Sequence, residues 1–164
     1  MPRARALMPL LAAALATLAL DQASKSLARQ SLPYGQPLPL LPHVWLTYVQ
    51  NPGAAFSLLD GFSPAVRVPF FAASSLAALA VVAWAWRSLP GRDRTSELAL
   101  GLIAGGALGN LLDRLRFTRV TDFIEVGVRG VYTWPVFNVA DSAVCVGVGL
   151  LLLKALRAPK PEHP

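Results

Sequence analysis

Two aspartates, Asp122 and Asp141, are the residues of this sequence whose type and setting best fit a catalytic role. Asp141 lies near the start of the last apolar stretch, three residues after Asn138, and Asp122 lies in the segment before that stretch. Two carboxyl groups that come together in an apolar setting do not both ionise easily, so one keeps its proton. Such a pair can activate water and protonate a leaving amine, which is the chemistry of an aspartic protease.

Other catalytic chemistries find little support in the sequence. The two histidines are His43 and His163, and His163 lies in the polar C-terminal tail, so no Ser–His pair is credible. Cys145 is the only cysteine. It therefore forms no intramolecular disulfide and no thiolate metal site. No zinc motif is present, and we expect neither a metal ion nor another cofactor.

Further polar residues recur at helical spacing. Asp21 and Lys25 are four residues apart, so they share a helix face and can pair, either as a structural ion pair or as part of a site. Gly106, Asn110 and Arg114 have the same spacing, and the last two can hold a carbonyl or carboxylate of a bound chain or satisfy their own neighbours. A neighbouring face of small residues predicts close helix packing. It consists of Gly101, Gly105 and Gly109.

The composition places these polar residues in a membrane protein of one domain, residues 1–164. Hydrophobic residues make up 54% and charged residues 15% of the chain, and the mean hydropathy is +0.49. Soluble domains carry about 25% charged residues. The net charge of +6 comes from basic residues at the edges of apolar runs rather than from one basic stripe. We therefore expect no nucleic-acid partner.

Four apolar runs predict four transmembrane helices, a mainly α fold. Their expected ranges are about 5–28, 65–87, 96–115 and 137–157, with outer segments at about 29–64 and 116–136 and a disordered tail at about 158–164. The distribution of Lys and Arg predicts that both termini are cytoplasmic. The first run also resembles a secretory signal peptide, and the residues alone leave its cleavage open.

The outer segments predict a small β-sheet on the extracytoplasmic face. Residues 43–51 alternate and are rich in β-branched and aromatic side chains, which is typical of a strand, and residues 118–129 also alternate. The acids of the helix ends converge on this face. Because an ionisable residue in a membrane span is costly, each is a functional candidate. Three hypotheses remain open from the residues alone: an aspartic hydrolase, a small transporter or proton-relay subunit, and a non-catalytic scaffold.

Five short motifs resemble those of bacterial lipoprotein signal peptidase, also called signal peptidase II. They occur in the family's order across nearly the whole chain. They are DQASK at 21–25, NPGAAFS at 51–57, GGALGNLLDR at 105–114, VTDF at 120–123 and FNVADS at 137–142. Glu125, just after the fourth motif, adds a charge without an assigned role.

The resemblance implies a metal-free aspartic endopeptidase of the bacterial inner membrane. Its substrates would be diacylglyceryl-modified prolipoproteins, cleaved on the amino side of the lipidated lipobox cysteine. Its other partner would be membrane lipid, with no obligatory protein partner. Asp122 and Asp141 match the catalytic pair, and DQASK implies that the first helix is retained. The residues expected to bind substrate or support the site are Asp21, Lys25, Asn51, Gly53, Gly106, Asn110, Arg114 and Asn138.

Overall fold

The computed structural model of the protein describes residues 2–53, 62–88 and 93–157. Four helices and four strands lie in these ranges. In chain order they are α1 (Pro2–Ser31), β1 (Pro37–Leu41), β2 (Val44–Asn51), α2 (Pro64–Ser88), α3 (Arg94–Phe117), β3 (Val120–Val128), β4 (Tyr132–Thr133) and α4 (Val139–Arg157).

Each of the four helices contains an apolar window long enough to cross a bilayer. The predicted fold class, four membrane helices with a small sheet, is confirmed. The helix ends differ from the expected ones by up to three residues. For α3 the reason is local: the helix is capped by the Asp93 carboxylate, which accepts a hydrogen bond from Ser96 N, and its C-cap residue, Thr118, has a left-handed φ of 58°.

The central helix is α3, which packs against the other three helices. Its glycines allow this close packing. A Cβ on Gly101 would lie 2.5 Å from the carbonyl oxygen of Leu10 in α1, and one on Gly105 would lie 2.5 Å from that of Ala14. The packing face predicted from the four-residue spacing of these glycines is therefore present, and α1 is its partner.

The strands form one antiparallel sheet in the order β1-β2-β3-β4. The strand expected at 43–51 is β2 and the one expected within 118–129 is β3. Register pairs Val49 with Asp122 and Asn51 with Val120. The sheet therefore places the end of β2 beside the start of β3, where Asp122 lies.

The sequence did not predict β1 as a strand, because Pro37 and Pro39 lie within it. A proline cannot donate a hydrogen bond to a ladder and is tolerated at a sheet edge, which is the position of β1. Residues 54–57 of the NPGAAFS motif, and the tail expected to be disordered, lie outside the described residues.

Candidate active site

Asp122 lies on β3 with its side chain almost fully enclosed, at 2% exposure. Its Oδ1 accepts a hydrogen bond from Asn138 Nδ2 at 2.6 Å, and its Oδ2 accepts one from Asn51 Nδ2 at 2.9 Å. Burial, and then the negative charge of Asp141, raises the pKa of Asp122 to about 7, while the two amide hydrogen bonds oppose the rise. Asp122 therefore keeps its proton well above the pH at which an ordinary aspartate loses it.

Gly53 explains the orientation of Asn51. The backbone N–H of Gly53 donates to Asn51 Oδ1 at 3.0 Å. Because the oxygen of the amide is bound there, its nitrogen is left to face Asp122. Two residues of the second motif thus act together on the same carboxyl group.

Asp141 lies in the first turn of α4, where it forms a reciprocal cap with Asn138. Asp141 N donates to Asn138 Oδ1 at 2.9 Å, and Asn138 N donates to Asp141 Oδ2 at 3.2 Å. This is the arrangement of a capping box, with an asparagine and an aspartate in the usual positions. The three-residue spacing of Asn138 and Asp141 in the sequence is therefore the spacing of a helix cap. This cap fixes the Asp141 carboxylate at the N-terminus of α4.

Asn138 also connects the two aspartates. Its Nδ2 donates to Asp122 Oδ1, as above, and lies 3.1 Å from Asn110 Oδ1. Asn110 Nδ2 in turn donates to Asp141 Oδ1 at 2.8 Å. The structure therefore brings Asp122 and Asp141 to one network of amides, although they belong to different elements.

Gly106 sets the distance between α3 and α4 at this point. A Cβ on Gly106 would lie 2.5 Å from the carbonyl oxygen of Ala140 and 2.8 Å from Cγ2 of Val144. Since Ala140 immediately precedes Asp141, the missing side chain is what lets Asn110, one turn further along α3, reach the Asp141 carboxylate.

Both carboxyl groups line a cavity of about 300 Å³ between the sheet and the helices. Its lining residues are Asn51, Gly53, Asn110, Arg114, Val120, Asp122, Trp134, Pro135, Val136, Phe137, Asp141 and Cys145. A second cavity, of about 320 Å³, lies between α2, α3 and α4 and is lined by Phe71, Ser74, Ser75, Ala78, Ala107 and Val144 together with four residues of the first. The shared residues are Asn110, Arg114, Asp141 and Cys145.

Arg114 provides positive charge where the two cavities adjoin. Its guanidinium lies 4.9 Å from the centre of the Phe71 ring, a cation–π distance, and Nη1 lies 3.3 Å from the carbonyl oxygen of Asn110. These contacts leave donor groups of the guanidinium available to a bound chain, since an arginine carries five N–H bonds.

Comparisons with known proteins identify the family of the chain. A family model described as Signal peptidase (SPase) II matches residues 13–157. The chain belongs to the signal peptidase II family. The lipoprotein signal peptidase of Geobacter sulfurreducens is 44% identical over 154 residues, covering 93% of this chain and 94% of the relative. That of Coxiella burnetii (strain RSA 493) is 44% identical over 144 residues, covering 87% and 86%.

A solved structure of a bacterial membrane enzyme, obtained by the in meso method at 2.3 Å resolution, has the same fold. It is 28% identical, has a TM-score of 0.78, and covers 94% of this chain and 93% of its own. The resemblance to signal peptidase II inferred from the five motifs is thereby confirmed, and with it the class of enzyme, a membrane protease. The roles of individual residues remain predictions.

In this member of the signal peptidase II family, Asp21 and Lys25 do not line either cavity. Both are fully buried, and Lys25 Nζ lies 2.9 Å from Asp21 Oδ2, so the ion pair predicted from their spacing is present. They contact site residues from α1. Lys25 Nζ donates a hydrogen bond to Asn110 Oδ1 at 2.8 Å, and Asp21 Oδ1 accepts one from Ala140 N at 3.0 Å.

Sequence reasoning left Asp113 out of the site. Its side chain is fully buried, its Oδ2 lies 3.6 Å from Lys25 Nζ, and the same oxygen accepts a hydrogen bond from Thr121 N at 2.9 Å. Arg29 reaches the same place from α1, with Nη1 2.9 Å from Thr121 Oγ1. The sequence did contain a reason to include Asp113, because an acid inside an apolar span is a functional candidate by default.

Glu125, the unassigned charge of β3, is held away from the cavity. Its carboxylate accepts a hydrogen bond from the Thr47 hydroxyl on β2 and lies 3.7 Å from Arg129 Nη2. Across residues 2–53, 62–88 and 93–157, no group of three or more His, Cys, Asp or Glu side chains is placed to hold a metal ion.

Proposed function

We propose that the protein removes the signal peptide from diacylglyceryl-modified prolipoproteins, with Asp122 and Asp141 as its catalytic pair. Family membership supports the processing of prolipoproteins. The assignment of residues rests on one observation: among the described acids, Asp122 and Asp141 are the two that line the central cavity. We place the scissile bond on the amino side of the lipidated cysteine.

The two aspartates have different tasks because their surroundings differ. Asp122 is enclosed and has a raised pKa of about 7, so it is the group that holds a proton near neutrality. Asp141 accepts hydrogen bonds from Asn110 Nδ2 and Asn138 N, so its two oxygens are held as acceptors toward the cavity. Asp141 is therefore the base and Asp122 the acid.

The reaction begins with a water molecule between the two carboxyl groups. Asp141 takes a proton from this water as its oxygen attacks the scissile carbonyl carbon, and Asp122 donates its proton to the carbonyl oxygen. In the second step the C–N bond breaks, the amine nitrogen takes the proton held by Asp141, and a hydroxyl proton of the intermediate returns to Asp122. Both aspartates end in their starting protonation states.

The second cavity provides a place for the apolar part of the substrate. Phe71, Ala78 and Val144 give it an apolar lining, and it adjoins the aspartates between α2, α3 and α4. Arg114, at the junction, is positioned to donate to a backbone carbonyl or an ester oxygen of the bound chain. Membrane lipid is the second partner of this surface, and we expect no obligatory protein partner.

The site is proposed to face the extracytoplasmic side, with both termini in the cytoplasm. The arrangement of basic residues supports this orientation. At the site end, Lys25 is fully buried in ion pairs and Arg114 stacks on Phe71, while the exposed Arg116, Arg119 and Arg129 are spread along the outer segment and its flanks. At the other end, Arg87 and Arg157 are exposed at the last turns of α2 and α4.

Cleavage of a purified diacylglyceryl-modified prolipoprotein in detergent, with a chelator present, tests this function. We expect a product whose N-terminal residue, identified by mass spectrometry, is the lipidated cysteine. A matched precursor with serine in place of that cysteine, which cannot receive the lipid, should remain uncleaved. Equal cleavage of both precursors, or loss of cleavage with the chelator, would contradict the proposal.

A further inference from the structure

Three charged side chains are fully buried behind the site: Asp21, Lys25 and Asp113, each at 0% exposure. One ammonium group lies between two carboxylates, 2.9 Å from Asp21 Oδ2 and 3.6 Å from Asp113 Oδ2. Burying such a group costs several kcal/mol per ion unless close pairing and hydrogen bonds offset it. Helix packing alone does not require it, since the glycine contacts of Gly101 and Gly105 already join α1 to α3.

Each of the two carboxylates binds the backbone just before one of the catalytic aspartates. Asp21 Oδ1 accepts a hydrogen bond from the N–H of Ala140 at 3.0 Å, and Ala140 precedes Asp141. Asp113 Oδ2 accepts one from the N–H of Thr121 at 2.9 Å, and Thr121 precedes Asp122. The start of α4 and the start of β3, which belong to different elements, are thereby both attached to Lys25 through a carboxylate. Asp113 has a second, more distant cation, since Arg29 Nη1 lies 3.9 Å from its Oδ1.

Lys25 has a third contact, which sets the orientation of Asn110. An ammonium group can only donate, so the atom that faces it at 2.8 Å is Asn110 Oδ1. The amide nitrogen of Asn110 is then turned toward Asp141 Oδ1, 2.8 Å away. With a neutral, apolar side chain at position 25, the longer contact from Asn138 Nδ2, at 3.1 Å, would be the remaining one that favours this orientation.

We propose that Lys25, Asp21 and Asp113 are positioning residues that fix the separation of the two catalytic carboxyl groups. This inference rests on the proposed function. Because none of the three lines either cavity, they act on the reacting groups and leave the binding of substrate unaffected. Their loss should therefore lower kcat and change KM little, since a displacement of about 1 Å at reacting groups can cost about 100-fold in rate.

The test compares Asp113→Ala, Asp113→Asn and Lys25→Met in detergent with a lipidated prolipoprotein. Asp113→Ala removes both the charge and the acceptor for Thr121 N, so kcat should fall about 100-fold. Asp113→Asn keeps an acceptor oxygen but loses the attraction of Lys25, so kcat should fall about 10-fold. Lys25→Met leaves Asp21 without a cation and Asp113 with only Arg29 at 3.9 Å, and it should lower kcat at least as much as Asp113→Ala. In all three, KM should stay within about threefold of the wild-type value.

The matched control is Asp93→Asn, at the opposite end of α3. Asp93 also pairs with a lysine, Lys154, and caps a backbone N–H, but it lies far from the aspartates. It should lower the thermal unfolding temperature without lowering kcat. A purely structural role for the buried cluster predicts the same pattern for Asp113→Asn, and a wild-type kcat in folded Asp113→Asn or Lys25→Met would overturn the proposal.

The same assay distinguishes a wrong catalytic assignment from a wrong positioning role. If Asp122→Asn and Asp141→Asn cleave normally, the catalytic assignment itself is wrong. If those two variants are inactive and folded Asp113→Asn retains the wild-type kcat, only the positioning role is wrong. Should Asp113→Ala fail to fold, Asp113→Asn carries the test, because it preserves the size and the hydrogen-bond acceptor of the side chain.

Discussion

For single residues, the proposed role of Asp122 as the acid predicts how cleavage depends on pH. Its pKa is raised to about 7, chiefly by burial and further by Asp141. As the pH rises through that value, Asp122 loses the proton that the proposed mechanism transfers to the scissile carbonyl, so we expect cleavage to slow. We expect kcat/KM, measured in detergent, to fall about tenfold per pH unit on the alkaline side of neutrality.

Two variants make this prediction specific to Asp122. Asn51 donates to the Asp122 carboxylate and lowers its pKa, so Asn51→Ala should move the alkaline midpoint to higher pH. Asp93 has a pKa of about 2, lowered chiefly by its hydrogen bond with Lys154, and is ionised throughout this range. Asp93→Asn should therefore leave the midpoint in place. A kcat/KM that stays constant up to about pH 9 would show that no such proton is needed.

Residue spacing predicted the local part of the site and missed the long-range part. The pairs Asp21–Lys25 and Asn138–Asp141 lie within one helical turn, so their contacts follow from the helix itself. Lys25 and Asn110 are 85 residues apart in the chain, and their contact depends on how α1 packs on α3. The hydrogen bond from Thr121 N to Asp113 depends on the turn between α3 and β3, which local spacing does not specify.

At the scale of elements, the close approach of α3 and α4 holds the site together. Gly106→Ala would place a Cβ 2.5 Å from the backbone oxygen of Ala140, so α4 must move and carry Asp141 away from Asn110. We expect cleavage to fall at least about tenfold and the unfolding temperature to drop. The assay is kcat/KM with a lipidated prolipoprotein, together with thermal unfolding in the same detergent.

Gly149→Ala is the matched control, since it makes the same substitution in a helix. A Cβ at position 149 meets no atom within 4 Å. Alanine has the higher helix propensity, so this variant should cleave normally and be as stable as the wild type or about 0.5–1 kcal/mol more stable. Equal activity of the two variants would argue against the role given to the α3–α4 contact.

The helices and the inner strands were more predictable than β1, the strand at the edge of the sheet. Four apolar runs predicted the four helices, although only the second run reaches spanning length without an ionisable residue, and alternation predicted β2 and β3. The strand β1 was missed because Pro37 and Pro39 argue against a strand, and only its position at the edge of the sheet makes them acceptable. Edge position is a property of the sheet, which the local sequence does not contain.

At the scale of the whole molecule, we expect the site end of the helix bundle to face the extracytoplasmic side of the membrane. Val131, beside β4, and Leu156, near the end of α4, are each 82% exposed and lie at opposite ends of the helix bundle. In a Cys145→Ser background, Val131→Cys should react with a membrane-impermeant maleimide in intact bacterial spheroplasts. Leu156→Cys should react only after lysis. The reverse pattern would place the site on the cytoplasmic side.

The most direct test of the central claim is the cleavage rate of Asp122→Asn and Asp141→Asn on a lipidated prolipoprotein. Glu125→Gln is the matched control, because this acid lies on the same strand as Asp122 but is bound by Thr47 outside the cavity. The catalytic pair predicts that each aspartate variant folds and loses at least about 1,000-fold in kcat, while Glu125→Gln cleaves at nearly the wild-type rate. Cleavage within about tenfold of wild type by either aspartate variant would contradict the account.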